Sequence, residues 1–555
     1  MQRLVHFRKN RAWILAGFLF FAAQSGRSQL TVSIGQNFTG STFGTHTQAI
    51  PADGDGAIGP KHFMEFINGT VCVYNKTNGV SVQRKSNLKF WSDAHVILSQ
   101  DSGVSDPRVI YDPTVQRWFA AQVDLDTSNP DPTLAQNDFL LAVSATSDPT
   151  GQWQGISFQS DPDSGKFADF PTLGLDANAV YIAGDFFDGE DNPLGPGLVS
   201  IPKADLLTST PTVANRKWFG IMDDAVRGQV LQPSICIDGS SSGNILAMGD
   251  VGTDSDPHSN IVAFAVQNGG TINPTLTSAS SLSVSPYVVP FNSELVVPMF
   301  NPTQPDGTTN ISANDARFSG NVYAVAGVLY AAHQTWVNNR IAIRWYRINA
   351  TTRALLESGT IADPNLDLFY PSIAANTNGT VVIGCNGSSI NTLVSSFAIA
   401  GQTVNGVTTF GSPILLKSGL FDYHGFDEFL AVLQDQPPLS RWGDYSATSV
   451  DPSDPTHFWT IQMYPSDSQD DLGYWSTQIT EIITVLYPTL SITRSNANAI
   501  VSWPTAPTGF NLESRLNLTT GSWTPVAGSF STNSGRVSFQ TPLTNSAVFF
   551  RMHKP

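Results

Sequence analysis

Short apolar runs alternate with tight clusters of Asp, Asn, Gly and Pro along most of this chain, and long stretches with a 3.6-residue period are missing. Read side by side, DPRVIYDPTVQRWFAAQVD (106–124), DFPTLGLDANAVYIAGD (169–185), QPSICIDGSSSGNILAMGD (232–250), FSGNVYAVAGVLYAAHQ (318–334), YPSIAANTNGTVVIGCN (370–386) and RWGDYSATSVDPSDPTHFWTIQMY (441–464) share one form. Each is an apolar strand, a turn, and a second apolar strand that closes on a polar residue. DGDGAIGPKHFMEFING (53–69) is a weaker seventh copy. Two further strand patterns fall between successive copies, such as FLLAVSAT (139–146) and WQGISFQ (153–159), or RIAIRWYRI (340–348) and ALLESGTIA (354–362). Four short strands repeated seven times, at spacings of 53, 63, 63, 86, 52 and 71 residues, predict an all-β chain built on a seven-bladed β-propeller with loops of uneven length.

The last copy supplies only three strands, 441–450, 457–464 and 474–483, before Pro488. An open blade would leave an unpaired edge, so LTVSIGQNF (30–38) is expected to return as its fourth strand. Beyond Pro488 the pattern changes to LSITR, AIVSW, FNLESR, TPVAG, RVSFQ and AVFFRMH, short alternating runs that suit a small β-sandwich of fibronectin type III or immunoglobulin pattern. The expected organisation is a leader at 1–28, the propeller at 29–487 and the sandwich at 488–555.

The leader is read from Arg3, Arg8, Lys9 and Arg11, the apolar run AWILAGFLFFAA and the small polar stretch QSGRS, the order of a secretory signal. That run is short for a bilayer span of about 20 residues, and no other segment is long and apolar enough. A secreted, cell-surface or periplasmic protein is expected. Losing 1–28 removes five basic residues and no acidic one, which moves the formal charge from −16 to −21. Nucleic acid and anionic membrane are poor partners for such a surface; an extracellular glycan or protein ligand suits it better. Cys72, Cys236 and Cys385 each sit in a strand-like apolar run and read as buried small hydrophobes rather than a disulfide framework.

RWGDYSATSVDPSDPTHFW, with AIRWYRI, YPSIAANTNGTVVIG and VSATSDPTGQW, resembles a group of secreted bacterial propeller proteins of largely unassigned function, often fused to a C-terminal β-sandwich. The likeness covers roughly residues 50 to 485. More distantly, SDPTGQW (147–153) is similar to the Asp-box of sialidase-like propellers, S-x-D-x-G-x-x-W, with Asp148, Gly151 and Trp153 in the matching roles and an altered spacing. The resemblance implies blade architecture and does not carry sialidase chemistry.

Propeller geometry places the entry ends of the first strands on one face with the loops that join second and third strands. Asp53, Asp55, Asp106, Arg108, Asp169, Gln232, Arg317, Tyr370, Arg441, Asp444 and Tyr445 gather there, beside the acidic loops 124–131, 185–192, 250–258 and 466–471. Arg441 and Asp444 are read first as an ion pair that fastens adjacent blades, because buried charges must be paired. The competing reading makes Arg108, Arg317 and Arg441 a cationic ring for a carboxylate ligand, with Tyr445 and an acid near the reacting centre. His424, in LFDYHGFDEF (420–429), lies among aromatics that either pack on a neighbouring blade or stack on a sugar.

For the acidic loops, solvated surface is weighed against calcium, with Asp53 and Asp55, and Asp185, Asp188, Glu190 and Asp191, as candidate ligands. Neither stretch has EF-hand spacing, and no phosphate loop, CxxC or His-x-x-x-His motif occurs. The expectation is an exported propeller that binds a glycan or other surface ligand through its axial face. The alternative is a sialidase-like glycan hydrolase or lyase using the same face.

Overall fold

A computed structural model describes residues 29–98, 102–128, 135–190, 192–241, 243–251, 257–292, 297–298, 301–309, 311–425, 440–467, 474–505, 508–544 and 547–554. The chain packs as two compact units, one of 32–485 and one of 486–555 with the described residues 29–31.

The larger unit is a succession of antiparallel strand groups in sequence order, propeller-like in arrangement; the third, fourth and fifth, called sheets below, are joined by short parallel pairings of their first strands, Leu175 with Ile235 and Ser234 with Val322. The first sheet joins Asp55–Ile58, His62–Ile67, Thr70–Asn75 and Ser81–Ser86, and the second Ser102–Asp112, Arg117–Asp126, Asp138–Ser144 and Trp153–Gln159. The third runs from Phe167–Leu175 through Ala179–Phe187 and Pro193–Pro202 to Lys217–Ile221. The fourth starts with Gln229–Cys236, Asn244–Met248 and His258–Gln267; the fifth with Val322–Val325, Val328–Val337 and Arg340–Asn349; the sixth with Asp367–Ala375, Thr380–Ser389 and Thr392–Val404. The seventh contains Ala447–Val450, His457–Asp467 and Tyr474–Tyr487, and its outer strand is the N-terminal run Gln29–Thr42. The N-terminal return expected from the unpaired edge is thus present. It is locked from the first sheet: buried Glu65 accepts from Ser41 N at 3.0 Å and Ser41 Oγ at 2.6 Å, and also from Thr477 Oγ1.

The seven first strands touch in cyclic order. Hydrogen bonds join them: Val109 N to Asp55, Arg108 Nε to Pro171 O, Thr172 Oγ1 to Leu231 O, Gln232 Nε2 to Phe318 O, Ser372 Oγ with Thr448 Oγ1, and Ile58 N to Ser449 Oγ. Between the fifth and sixth sheets, Tyr370 N donates to Gln334 Oε1. The apolar core lies between sheet faces. Met64, Phe66 and Trp91 of the first repeat meet Val109, Trp118 and Leu140 of the second, and Phe63 and Ile67 meet Trp459 and Ile479 of the seventh. Both faces of a sheet are therefore covered, which is why its strands read as near-continuous apolar runs. Each fully buried large side chain contributes about 1.5–3 kcal/mol.

One expected strand is shorter than its pattern. Residues 441–446 are irregular and the strand begins at Ala447, because Gly443 at φ 144 turns the backbone so that Asp444 N reaches Asp53. None of the three cysteines forms a disulfide, and all are buried. Among the described residues no helix is long and apolar enough to cross a membrane.

The smaller unit has a four-stranded sheet, Ser491–Ser495, Asn498–Pro504, Arg536–Pro542 and Ser531–Asn533, and a three-stranded one, Thr524–Pro525, Asn511–Arg515 and Phe549–His553. Val501, Trp503, Leu512 and Met552 form its buried core, a sandwich-like arrangement.

Candidate functional site

The first strands of the second, third, fourth and sixth sheets each carry a register break near their start, at 105/108, 169/172, 229/232 and 369/372. A residue with positive φ sits in every break: Asp106 at 60°, Phe170 at 49°, Val230 at 55° and Tyr370 at 49°. Asp53, just before the first strand of the first sheet, has φ 44°. Asp tolerates this region, but for a bulky or β-branched residue it is an outlier that costs roughly 1–3 kcal/mol. In three of the four the next residue is proline, in Asp106-Pro107, Phe170-Pro171 and Tyr370-Pro371. A bulge re-aims a strand's side chains, and here the bulges bring residues from different sheets to one place.

At its floor, Tyr445 of the seventh repeat is buried with its ring against Phe170 of the third at 4.5 Å between centroids. The Arg108 guanidinium lies 3.5 Å from the Tyr445 centroid, and that of Arg317 lies 4.4 Å from the Phe170 centroid. Tyr445 OH donates to Asp106 Oδ2 at 2.8 Å, and Ser105 Oγ to Asp106 Oδ1 at 2.8 Å. Asn68 bridges two repeats, donating to Asp53 Oδ2 at 2.7 Å and accepting from Asp106 N at 3.0 Å. Asp444 N donates to Asp53 Oδ1 at 2.9 Å, while its carboxylate accepts from Asn314 Nδ2 at 2.8 Å and Arg441 Nη2 at 3.2 Å. Arg317 grips Asp315 through Nε at 2.9 Å and Nη2 at 2.7 Å. Tyr370 OH donates to Ser312 O at 3.1 Å.

Above this floor the side chains open to solvent. Asp169 is exposed, and Asp185, Arg317, Arg441 and Asp444 are half-buried, so the group forms a recess rather than a sealed core. Loss of hydration is the main cause that raises the carboxyls of Asp53, Asp55, Asp106, Asp169 and Asp185, reinforced for Asp53 by Asp444 and Asp106, and for Asp106 by Asp169 and Asp444. Asp106 is pushed up to about 7, and Asp55 and Asp185 to about 6. Asp444 drives the Arg441 guanidinium upward. Dehydration opposes the charge on Arg317, but Asp315, Asp185 and Asp444 outweigh it and raise its pKa.

Of the residues singled out in the sequence, Asp53, Asp106, Arg108, Asp169, Arg317, Tyr370, Arg441, Asp444 and Tyr445 thus surround one recess, with Asp185 beside Asp169. Gln232 is buried on the wall between the fourth and fifth sheets. Asp55 lies deeper, accepting from Gly56 N at 2.7 Å and Val109 N at 3.2 Å, with Arg108 at 3.9 Å. Among the described residues His424 pairs with Asp306 at 2.7 Å and with none of the recess acids, although neighbouring Tyr423 donates from its hydroxyl to Arg441 O at 2.8 Å. Phe426 and Asp427 of that loop lie outside the described residues, as do parts of the acidic loops 124–131, 250–258 and 466–471.

Asp188 closes its own turn, accepting from Glu190 N at 2.9 Å and Asn192 N at 3.0 Å; Glu190 is exposed, and Asp191 lies outside the described residues. Among the described residues no three His, Cys, Asp or Glu side chains are grouped as a metal site. The Asp-box-like stretch is a structural turn: Asp148 accepts from Thr150 N at 3.0 Å, and Trp153 Nε1 donates to Pro149 O at 2.9 Å. Sequence reading passed over Asn68, Phe170, Asn314 and Asp315. The recurrent X-Pro at the start of first strands was the available signal for Phe170; the other three sit in connections with no repeated pattern.

No model of a known protein family matches this chain, and no curated protein matches it. Solved structures similar to it include a protein of unknown function from Dyadobacter fermentans DSM 18053, at 10% identity over 81% of this chain and 97% of that one, TM-score 0.34. The Hadza microbial sialidase Hz136 is similar at 10% identity over 77% of this chain and 65% of that one, TM-score 0.35. An exo-beta-1,3-galactanase from Phanerochaete chrysosporium is similar at 12% identity over 81% and 100%, TM-score 0.30. Likeness this distant says nothing of what this chain binds, and it does not establish membership of the secreted propeller group.

Proposed function

We propose that residues 29–487 form one closed seven-bladed β-propeller of an exported protein, with 488–555 a separable β-sandwich, and that the recess at the entry end of the first strands binds an extracellular ligand such as a glycan. The observation that carries this is the set of four strained bulges, in four different sheets, that converge on one partly open recess. Strain of this kind persists where the surrounding fold over-determines it, and it clusters at ligand sites. A glycan array probed with the mature chain and with Asp169→Asn tests the binding. A glycan bound by the first and lost by the second supports the reading; an array without a recess-dependent hit removes it. Limited proteolysis near 488 that frees a folded C-terminal fragment tests the boundary.

A second reading is glycan hydrolysis or lysis in the same recess. It is favoured by Asp106, whose carboxyl holds its proton to about pH 7 and is bonded to the Tyr445 hydroxyl, the property of a group that can give or take a proton near neutral pH. Against it, Tyr445 is buried beneath Arg108, and the other two guanidiniums already hold Asp315 and Asp444. Turnover of a chromogenic glycoside that Asp106→Asn abolishes would move the site to this reading. Calcium at 53–56 or 185–191 is a separate proposal. Millimolar Ca²⁺ should then raise the melting temperature and EDTA reverse the rise; a curve indifferent to both removes it.

A further inference from the structure

Charge is not shared evenly along the chain. Residues 29–487 hold 19 basic and 44 acidic side chains, whereas 488–555 hold five basic ones and a single acid, Glu513. The formal charge is therefore −25 in the first stretch and +4 in the second. Opposite signs on two parts of one chain attract opposite partners.

A second observation, from the tertiary structure, gathers part of that positive charge around one aromatic ring. Leu512 and Met552 of the three-stranded sheet point into the buried core, so Glu513 and Arg551, which face each other across the strands, stand on the outer side. Arg515, two residues beyond Glu513, shares that side. The Arg515 and Arg551 guanidiniums lie 5.0 Å and 4.7 Å from the centre of the half-buried Trp523 ring, whose π face attracts and orients them. Buried Glu513 takes Arg551 through Nε and Nη2, both at 2.8 Å, and Arg515 donates through Nε and Nη1 to the carbonyls of Asn517 and Gly521. Among the described residues Arg515 Nη2 and Arg551 Nη1 have no acceptor in the protein. The Arg551 side chain is 43% exposed, and Lys554, three residues on, is exposed as well.

We propose that this face of the C-terminal unit binds an acidic polysaccharide, with Arg515, Arg551 and Lys554 receiving its anionic groups. A guanidinium held flat against an indole is oriented before the ligand arrives, and its planar fork matches an oxyanion better than a mobile ammonium does. The cations are few, and Glu513 offsets one of them. Duplex DNA, with one charge per about 1.7 Å, calls for a denser basic stripe; a polymer with about one charge per sugar fits this spacing. Two sources share the chemistry, a uronate polymer and a sulfated one. The proposal concerns a different unit from the recess and does not depend on it.

The test is calorimetric titration of the mature chain with polygalacturonate, dextran sulfate, neutral dextran and a short DNA duplex, beside co-sedimentation with phosphatidylserine vesicles. Binding of either acidic polysaccharide that weakens by about tenfold or more between about 50 and 500 mM NaCl, with neutral dextran silent, supports the proposal. Polygalacturonate alone names a uronate as the source, and dextran sulfate alone a sulfated sugar. Arg515→Gln combined with Lys554→Gln should weaken that binding by about tenfold or more without lowering the melting temperature. Arg551→Lys keeps a cation beside Glu513 but loses the fork; it should weaken binding as well, and it keeps the test intact if the double variant fails to fold. Binding untouched by these substitutions puts the polymer elsewhere and overturns the proposal. DNA or vesicles bound at least as tightly as the acidic sugars overturn the choice of a polysaccharide, and silence from every probe overturns the site.

Discussion

The two ends of the first strands treat the same residue in opposite ways. At the far end, where the first strand turns into the second, five of the seven repeats carry an Asp or Asn that caps its own turn with one oxygen and reaches the next sheet with its other atom. Asp112 accepts from Thr114 N at 2.8 Å and from Lys203 Nζ at 2.6 Å, and Asp176 from Asn178 N at 2.8 Å and Gly243 N at 3.0 Å. Asp238 accepts from Ser240 N and Ala326 N, both at 3.0 Å; Asn376 accepts from Asn378 N at 3.0 Å and donates to Pro455 O at 2.7 Å; Asp451 accepts from Ser453 N at 2.8 Å on Oδ1 and meets Lys76 Nζ at 2.5 Å on Oδ2. Burial alone would raise Asp238, but its donors outweigh it and hold its pKa down. At the entry end the acids lose hydration first and crowd one another second, and their pKa values rise. One end spends carboxylates on fastening sheets; the other stores unfavourable charge where a ligand could relieve it.

The largest test falls on the fastening end. Lys203 and Asp112 are both buried, and Lys203→Met strands the carboxylate, so unfolding by urea should show a loss of about 3–5 kcal/mol. A loss below about 1 kcal/mol would mean that the turn acids do not hold the sheets together.

The sharpest test applies one substitution at both ends. Asp176→Asn turns an amide toward the donors Tyr181 OH and Gly243 N and should cost about 1–3 kcal/mol. Asp106→Asn should have the opposite sign at alkaline pH. The folded protein keeps the Asp106 proton to about pH 7, whereas the unfolded chain loses it near 3.9. Between those values the folded state binds more protons, so wild-type stability falls as pH rises. The variant has no such proton to lose. It should gain about 1–3 kcal/mol over wild type at pH 8 and nothing near pH 4. Equal effects at both pH values would remove the contrast between the two ends.

Tyr445→Phe deletes a buried hydroxyl bonded to Asp106 and should cost about 1 kcal/mol in a denaturant titration. Smallest of all is Arg441→Ala. Its side chain is 39% exposed, so loss of the pair with Asp444 should cost less than about 1 kcal/mol. A cost of several kcal/mol would show that Arg441 fastens the fold, as the sequence reading preferred.

The strand–turn–strand repeat, the Asp-rich turns, the change of pattern at Pro488 and the return of 30–38 to the last sheet were all legible in the chain, because alternation, apolar runs and turn residues are local properties that each segment carries by itself. The neighbourhood of Asp53, Asp106, Asp169, Arg317, Asp444 and Tyr445 followed from repeat position alone. Only the tertiary structure decided how those groups pair: that Tyr445 turns its hydroxyl to Asp106 and its ring to Phe170, that Arg317 takes Asp315 rather than a ligand, that Asn68 ties two repeats, and that Asp169 alone among the recess acids is exposed. A partner drawn from a different sheet leaves no trace in either segment's own pattern. Whether a carboxyl is a fastening or a stored charge depends on the water and donors that other segments leave around it.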